Sequence, residues 1–146
     1  MALKISKGVW FLSMVVALLS LLYVYASLPQ EVVVQDDAGA RVSLSNEVFF
    51  YIAMTLIAVM NVMVFIIAKV FKTNEELRTW FNGLVTTLNL FLIIGMSFIS
   101  LYNSNERFDF ERIAFIIYGS LGLTVLWAAA WPIFHFFKRF NTKLMV

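Results

Sequence analysis

The chain has 146 residues, of which 62% are hydrophobic and 14% charged, with a formal net charge of +2 and no cysteine. Soluble domains average about 45–50% apolar and about 25% charged residues, and a soluble fold of this size lacks the interior to hide so much apolar surface. The missing cysteine excludes a disulfide framework, thiolate metal sites, a cysteine nucleophile, and lipobox or prenyl attachment.

A spanning helix needs roughly 20 mostly apolar residues to cross about 30 Å of hydrocarbon. Four stretches meet this, at about residues 9–27, 48–68, 80–101 and 113–134, and none contains a charged residue. They predict an all-α integral membrane protein, one four-helix transmembrane domain over residues 1–146. A membrane β-barrel needs strands of about ten residues that alternate apolar with polar, and these blocks do not alternate. Lys4 and Lys7 before the first block resemble a signal-peptide start, and Val24-Tyr25-Ala26 matches a cleavage site only loosely. The block is long enough to span and is read as the first helix.

Pro29 stops the first span, because the residue before a proline is pushed out of the helical region. Val32-Val33-Val34 and Arg41-Val42-Ser43-Leu44 are β-prone and flank the turn-forming Asp36-Asp37-Ala38-Gly39. A small hairpin between helices 1 and 2 is expected, resting on its own bundle or on a partner, since two strands alone are marginal in water. The two aspartates lack the further ligands and terminal glutamate of a calcium loop, so they read as solvated turn acids. Ser45-Asn46-Glu47 is expected to cap the second span. Thr73 with Glu76 matches a capping box leading into the third, with Trp80 at headgroup depth. Tyr102 to Arg112 is a short connection of mixed charge, which makes spans three and four neighbours. The tail from His135 mixes basic and aromatic residues, as in a helix end lying in the interface. His135 is the one histidine and reads as an interfacial anchor; no cofactor or metal site is expected.

Charge segregates along the chain. Lys4, Lys7, Lys69, Lys72, Arg78, Lys138, Arg139 and Lys143 fall on one side of the four spans with Glu75 and Glu76. Arg41, Arg107 and Arg112 fall on the other with Glu31, Asp36, Asp37, Glu47, Glu106, Asp109 and Glu111. The excess of Lys and Arg marks the cytoplasmic side, so both termini are expected there, with the hairpin outside. The basic face suits anionic lipid headgroups. Its few scattered cations form no nucleic-acid module.

The polar residues inside the spans carry no charge, which counts against a pump or proton relay. Asn82, Thr86 and Asn89 share one face of the third span, and Asn61 is the main polar position of the second. Ser13 and Ser20 lie seven apart in the first. Such groups serve either helix packing or a polar cleft; in both cases the Asn82 face is expected to point into the bundle. Trp127, Trp131 and Phe134 follow an i, i+4, i+7 pattern, an aromatic ridge that suits a partner chain or lipid. Pro132 removes a hydrogen bond near the end of the fourth span and is expected to kink or break its last turns.

No HExxH, GxSxG, phosphate loop or paired intramembrane carboxylate is present. Leu28-Pro29, Asp37-Ala38-Gly39, Ser45 to Ile52, Asn82 and the stretch Thr86 to Asn89 resemble small bacterial membrane proteins of the SdpI-type immunity family. The family's histidine after the proline is replaced here by Val32 to Val34, and no functional residue carries over. The resemblance implies a bacterial inner-membrane protein that protects against a membrane-active toxin or signals through a bound regulator. The residues themselves favour a non-enzymatic protein working through protein contacts, an accessory subunit of a larger membrane complex. A small homo-oligomeric transporter or channel, and then a membrane enzyme, are the alternatives.

Overall fold

A computed structural model describes residues 1–37, 39–104 and 109–145. The elements run α1 (Ala2–Ser27), β1 (Glu31–Asp37), β2 (Ala40–Ser45), α2 (Asn46–Val70), α3 (Glu75–Tyr102) and α4 (Phe110–Leu144). Ala38 of the expected turn, and Glu106 and Arg107 of the connection between α3 and α4, lie outside the described residues. All four helices are long and apolar enough to cross a membrane. Each includes the span expected from sequence and continues past it at both ends or one. Only 22% of the most apolar window is buried inside the protein in α1, α2 and α3, and 11% in α4. Most of the apolar surface therefore faces outward, which is stable only in lipid.

The helix ends follow local chemistry. Leu28, just before Pro29, is extended at φ −76 and ψ 143, and α1 stops there. The Ser45 hydroxyl accepts from the Val48 amide and caps α2. At α3 the expected Thr73 capping box gives way to Asn74, whose side chain accepts from the Leu77 amide. Asparagine is the stronger cap, and its placement puts Glu75 and Glu76 in the first turn, where carboxylates complement the helix dipole. Pro132 does not end α4, which runs on to Leu144. At about 1.5 Å per residue, its 35 residues extend roughly 52 Å, well beyond a hydrocarbon core of about 30 Å.

The interior lies between α1, α2 and α3. Ala17, Leu21 and Val24 of α1 pack with Phe49, Ala53 and Ile57 of α2 and Met96 of α3. Helices α1 and α3 run parallel, tied at Ser6–Asn82, Ser13–Asn89 and Ser27–Ser100. Among the described residues, the backbone of α4 packs against α3 and against no other helix. Met1 to Leu3 lie close to Trp131 and Phe134, and Lys138 approaches Glu76, so both chain ends gather at one end of the bundle. The hairpin is at the other.

That hairpin pairs Glu31 with Ser45 through Asp37 with Ala40, with a register shift between Val33 and Gln35. Gly39 supplies the turn's φ of +117, which side chains resist. Val32 is fully buried in the bundle's end cluster. The hairpin thus rests on its own bundle, and Asn103 fixes it there. The Val33 amide donates to Asn103 Oδ1 at 2.7 Å, while Asn103 Nδ2 donates to the carbonyls of Val33 at 3.0 Å and Ile99 at 2.8 Å. The side-chain amide pairs with the free edge of β1 as a neighbouring strand would. Asn103→Leu is expected to strand both Val33 groups, loosening the hairpin by about 1–3 kcal/mol. Residue-resolved hydrogen exchange should then show the Val33 amide exchanging at least about tenfold faster; an unchanged rate would show that apolar burial such as that of Val32 holds the hairpin without Asn103.

Candidate functional site

The strongest polar feature is a seam of side chains inside the apolar interior. Asn61, Asn82 and Asn89 are 3%, 4% and 0% exposed. Asn61 and Asn89 face each other across α2 and α3 as a reciprocal amide pair, each Nδ2 donating to the other's Oδ1 at 3.0 Å. The second N–H of Asn61 goes to the Ile57 carbonyl at 2.7 Å, and that of Asn89 to Ser13 Oγ at 3.0 Å. Trp10 Nε1 donates to Asn61 Oδ1 at 2.9 Å, bringing in α1. Ser13 passes its own proton to the Trp10 carbonyl at 2.6 Å. Every amide proton of the pair is thereby used within the protein, as a buried polar group in an apolar medium requires.

One heptad toward the chain termini the motif repeats more simply. Asn82 Nδ2 donates to Ser6 Oγ at 3.1 Å, and Ser6 to the Leu3 carbonyl. Thr86 is half-buried and returns its hydroxyl to the Asn82 carbonyl at 2.8 Å. Of the four polar residues singled out from sequence, Asn61 and Asn89 meet directly, Asn82 meets α1, and Thr86 serves its own helix. Trp10 and Ser6 were missed. The signal for Ser6 was the seven-residue spacing of Ser6, Ser13, Ser20 and Ser27, which runs in step with Asn82, Asn89 and Asn103; Trp10 stands outside that series.

Helix α4 is held differently. Its buried polar residues Ser120 and Thr124 return their hydroxyls to their own helix, at the Ile117 and Ser120 carbonyls, as Thr87 of α3 does at Leu84. These small residues allow close approach without bonding across. The crossing bonds come from two tryptophans. Trp80 Nε1 donates to the Trp127 carbonyl and Trp127 Nε1 to the Trp80 carbonyl, both at 2.9 Å. Gly83 makes room: a Cβ there would stand 2.3 Å from Trp127 Cζ2. Trp131 stacks on Trp80 with centroids 5.5 Å apart and on His135 at 4.4 Å. Of the three aromatic residues spaced along α4, Trp127 and Trp131 therefore engage α3, and Phe134 remains 60% exposed.

Among the described residues no group of three or more His, Asp or Glu side chains is placed to hold a metal ion. His135 stacks on Trp131, and among the described residues no serine or carboxylate is bonded to it. No family model, curated protein or solved structure matches this chain. The arrangement has to be interpreted from its own geometry.

Proposed function

We propose that this is a non-enzymatic membrane protein whose work is contact with another integral membrane protein, as an accessory subunit of a larger complex. The observation that carries this is the closure of the Asn61–Asn89 pair. The polar groups best placed to line a path for solute are bonded to one another and to Trp10 and Ser13. A transporter needs such groups free to exchange protein partners for a solute; here each exchange would cost a buried hydrogen bond. The short connections carry little soluble machinery, and the single-sided attachment of α4 leaves its remaining circumference available in the plane of the membrane. We place the protein in a bacterial cytoplasmic membrane with both termini inside. The support for that orientation is the basic end formed by Lys4, Lys7, Lys69, Lys72, Arg78, Lys138, Arg139 and Lys143; the bacterial origin rests on the family resemblance alone.

Gentle extraction of the native assembly, followed by mass spectrometry of intact particles, tests this. A second membrane protein in fixed stoichiometry is expected. Particles containing this chain alone would overturn the subunit reading and return attention to a homo-oligomeric pore.

A further inference from the structure

At the end of the bundle where both termini gather, α1 and α2 part, and a cavity of about 490 Å³ opens between them with α3 as its floor. Its walls are apolar, formed by residues such as Phe11 and Phe65, with Trp10 set edge-on against Phe65 at 5.4 Å. Gly8 also lines it, and a Cβ there would stand in open space. Three polar residues line the cavity: Lys7, Arg78 and Asn82. No carboxylate lines it.

Arg78 is the telling residue. Its Nη1 donates to the Lys72 carbonyl at 3.1 Å, which anchors the guanidinium to the connection between α2 and α3. Its Nε is buried with no hydrogen-bond partner. The guanidinium fork matches the oxygens of a phosphate. The one other charge lining the cavity, Lys7, has the same sign, so the charged part of the lining is wholly cationic.

We propose that this cavity is a specific site for one anionic phospholipid, its phosphate bonded by Arg78 and met by Lys7, and an acyl chain lying along the Phe11–Phe65 walls. The apolar walls decide for a lipid over a free anion. A soluble phosphate gains nothing from them, whereas a lipid buries its chain and brings its charge to the depth of Arg78. The site is independent of the accessory-subunit reading and stands or falls separately from it.

The purified full-length chain in neutral detergent would be titrated with dioleoylphosphatidylglycerol or dioleoylphosphatidylcholine, and retained lipid counted by native mass spectrometry. One phosphatidylglycerol per chain is expected in preference to phosphatidylcholine. Arg78→Gln should weaken retention about tenfold, and Lys7→Gln about fivefold. Lys143→Gln, a cation outside the cavity, should leave it unchanged. Gly8→Phe fills the cavity and keeps both charges, so it should also abolish the preference; it covers the case in which Arg78→Gln fails to fold. Equal retention of the two lipids overturns the site. So does equal weakening by Lys143→Gln and Arg78→Gln, which would mean diffuse surface charge. Displacement of the lipid by excess inorganic phosphate would overturn the lipid assignment in favour of a free anion.

Discussion

Asn89→Leu is expected to destabilise the bundle by about 2–4 kcal/mol, because it removes three interhelical hydrogen bonds worth about 0.6–2 kcal/mol each and leaves an Asn61 donor buried without a partner. The bonds are the reciprocal pair with Asn61 and the one to Ser13. Leucine fills the volume, so little of the loss comes from a cavity. Asn61→Leu should cost a similar amount, since it also deprives Trp10 Nε1 of its acceptor. The double substitution decides the interpretation. Removing both amides eliminates the amide donor that each single change leaves unpaired, while Trp10 Nε1 lacks its acceptor as it does in Asn61→Leu alone. The combined loss should therefore fall short of the sum by about 1–2 kcal/mol. Unfolding in mixed micelles, followed through the Trp10 environment, measures all three. Strict additivity would show that the two amides do not act as a pair, and with it the closed seam would lose its role as the reason to disfavour a solute path.

Gly83→Val is expected to detach α4 from α3. The Cβ of any larger residue would lie 2.3 Å from Trp127 Cζ2 and 2.5 Å from Cε2, closer than real contacts allow. The Trp127 ring has to leave. Both indole hydrogen bonds between Trp80 and Trp127 then break, since each needs the two helices at their present separation. Overpacking costs about 1–3 kcal/mol and the lost bonds add to it. Because the α4 backbone packs on α3 alone among the described residues, this should free α4 and leave α1, α2 and α3 assembled. The chain has no cysteine, so Glu76→Cys with Lys138→Cys makes a clean reporter at a pair whose charged atoms are 3.9 Å apart. Bridging by a short thiol crosslinker should fall sharply on adding Gly83→Val. It should fall no further when Gly83→Ala is added to Trp127→Leu than with Trp127→Leu alone, because the clash needs both residues. Unimpaired bridging in the Gly83→Val protein would show that α4 is held by its small residues, Ser120 and Thr124, without the tryptophans.

Partner contact and α4 docking are linked in this scheme. A helix attached along one face can be shared with another membrane protein more readily than one enclosed on three sides. The Gly83→Val protein should therefore also lose the partner expected above if that partner binds through α4, and keep it if binding is through the hairpin end.

Some features were legible in the residues themselves. Lipid is a uniform solvent, and a run of about 20 apolar residues must span it as a helix whatever its neighbours do. Pro29, Ser45 and Gly39 act on the backbone within one or two residues, so the end of α1, the start of α2 and the hairpin turn were local decisions as well. The inward direction of Asn82 and Asn89 followed from their common helical face.

Tertiary structure alone decided the rest. Which donor meets which acceptor depends on the rotation and offset of helices far apart in the chain, as Trp10 with Asn61 and Ser13 with Asn89 illustrate. The reach of α4 past Pro132 depended on a helix that proline weakens at one bond and does not have to stop. Gly83 looked like an ordinary small residue until Trp127, on another helix, was seen to occupy the space its side chain would need. Arg78 looked like one more cation of the basic loops until the packing of α1, α2 and α3 placed it in the lining of a cavity. In each case the local sequence set the type of group, and the packing of separate helices set its partner, because burial in an apolar medium makes partnership a matter of three-dimensional register.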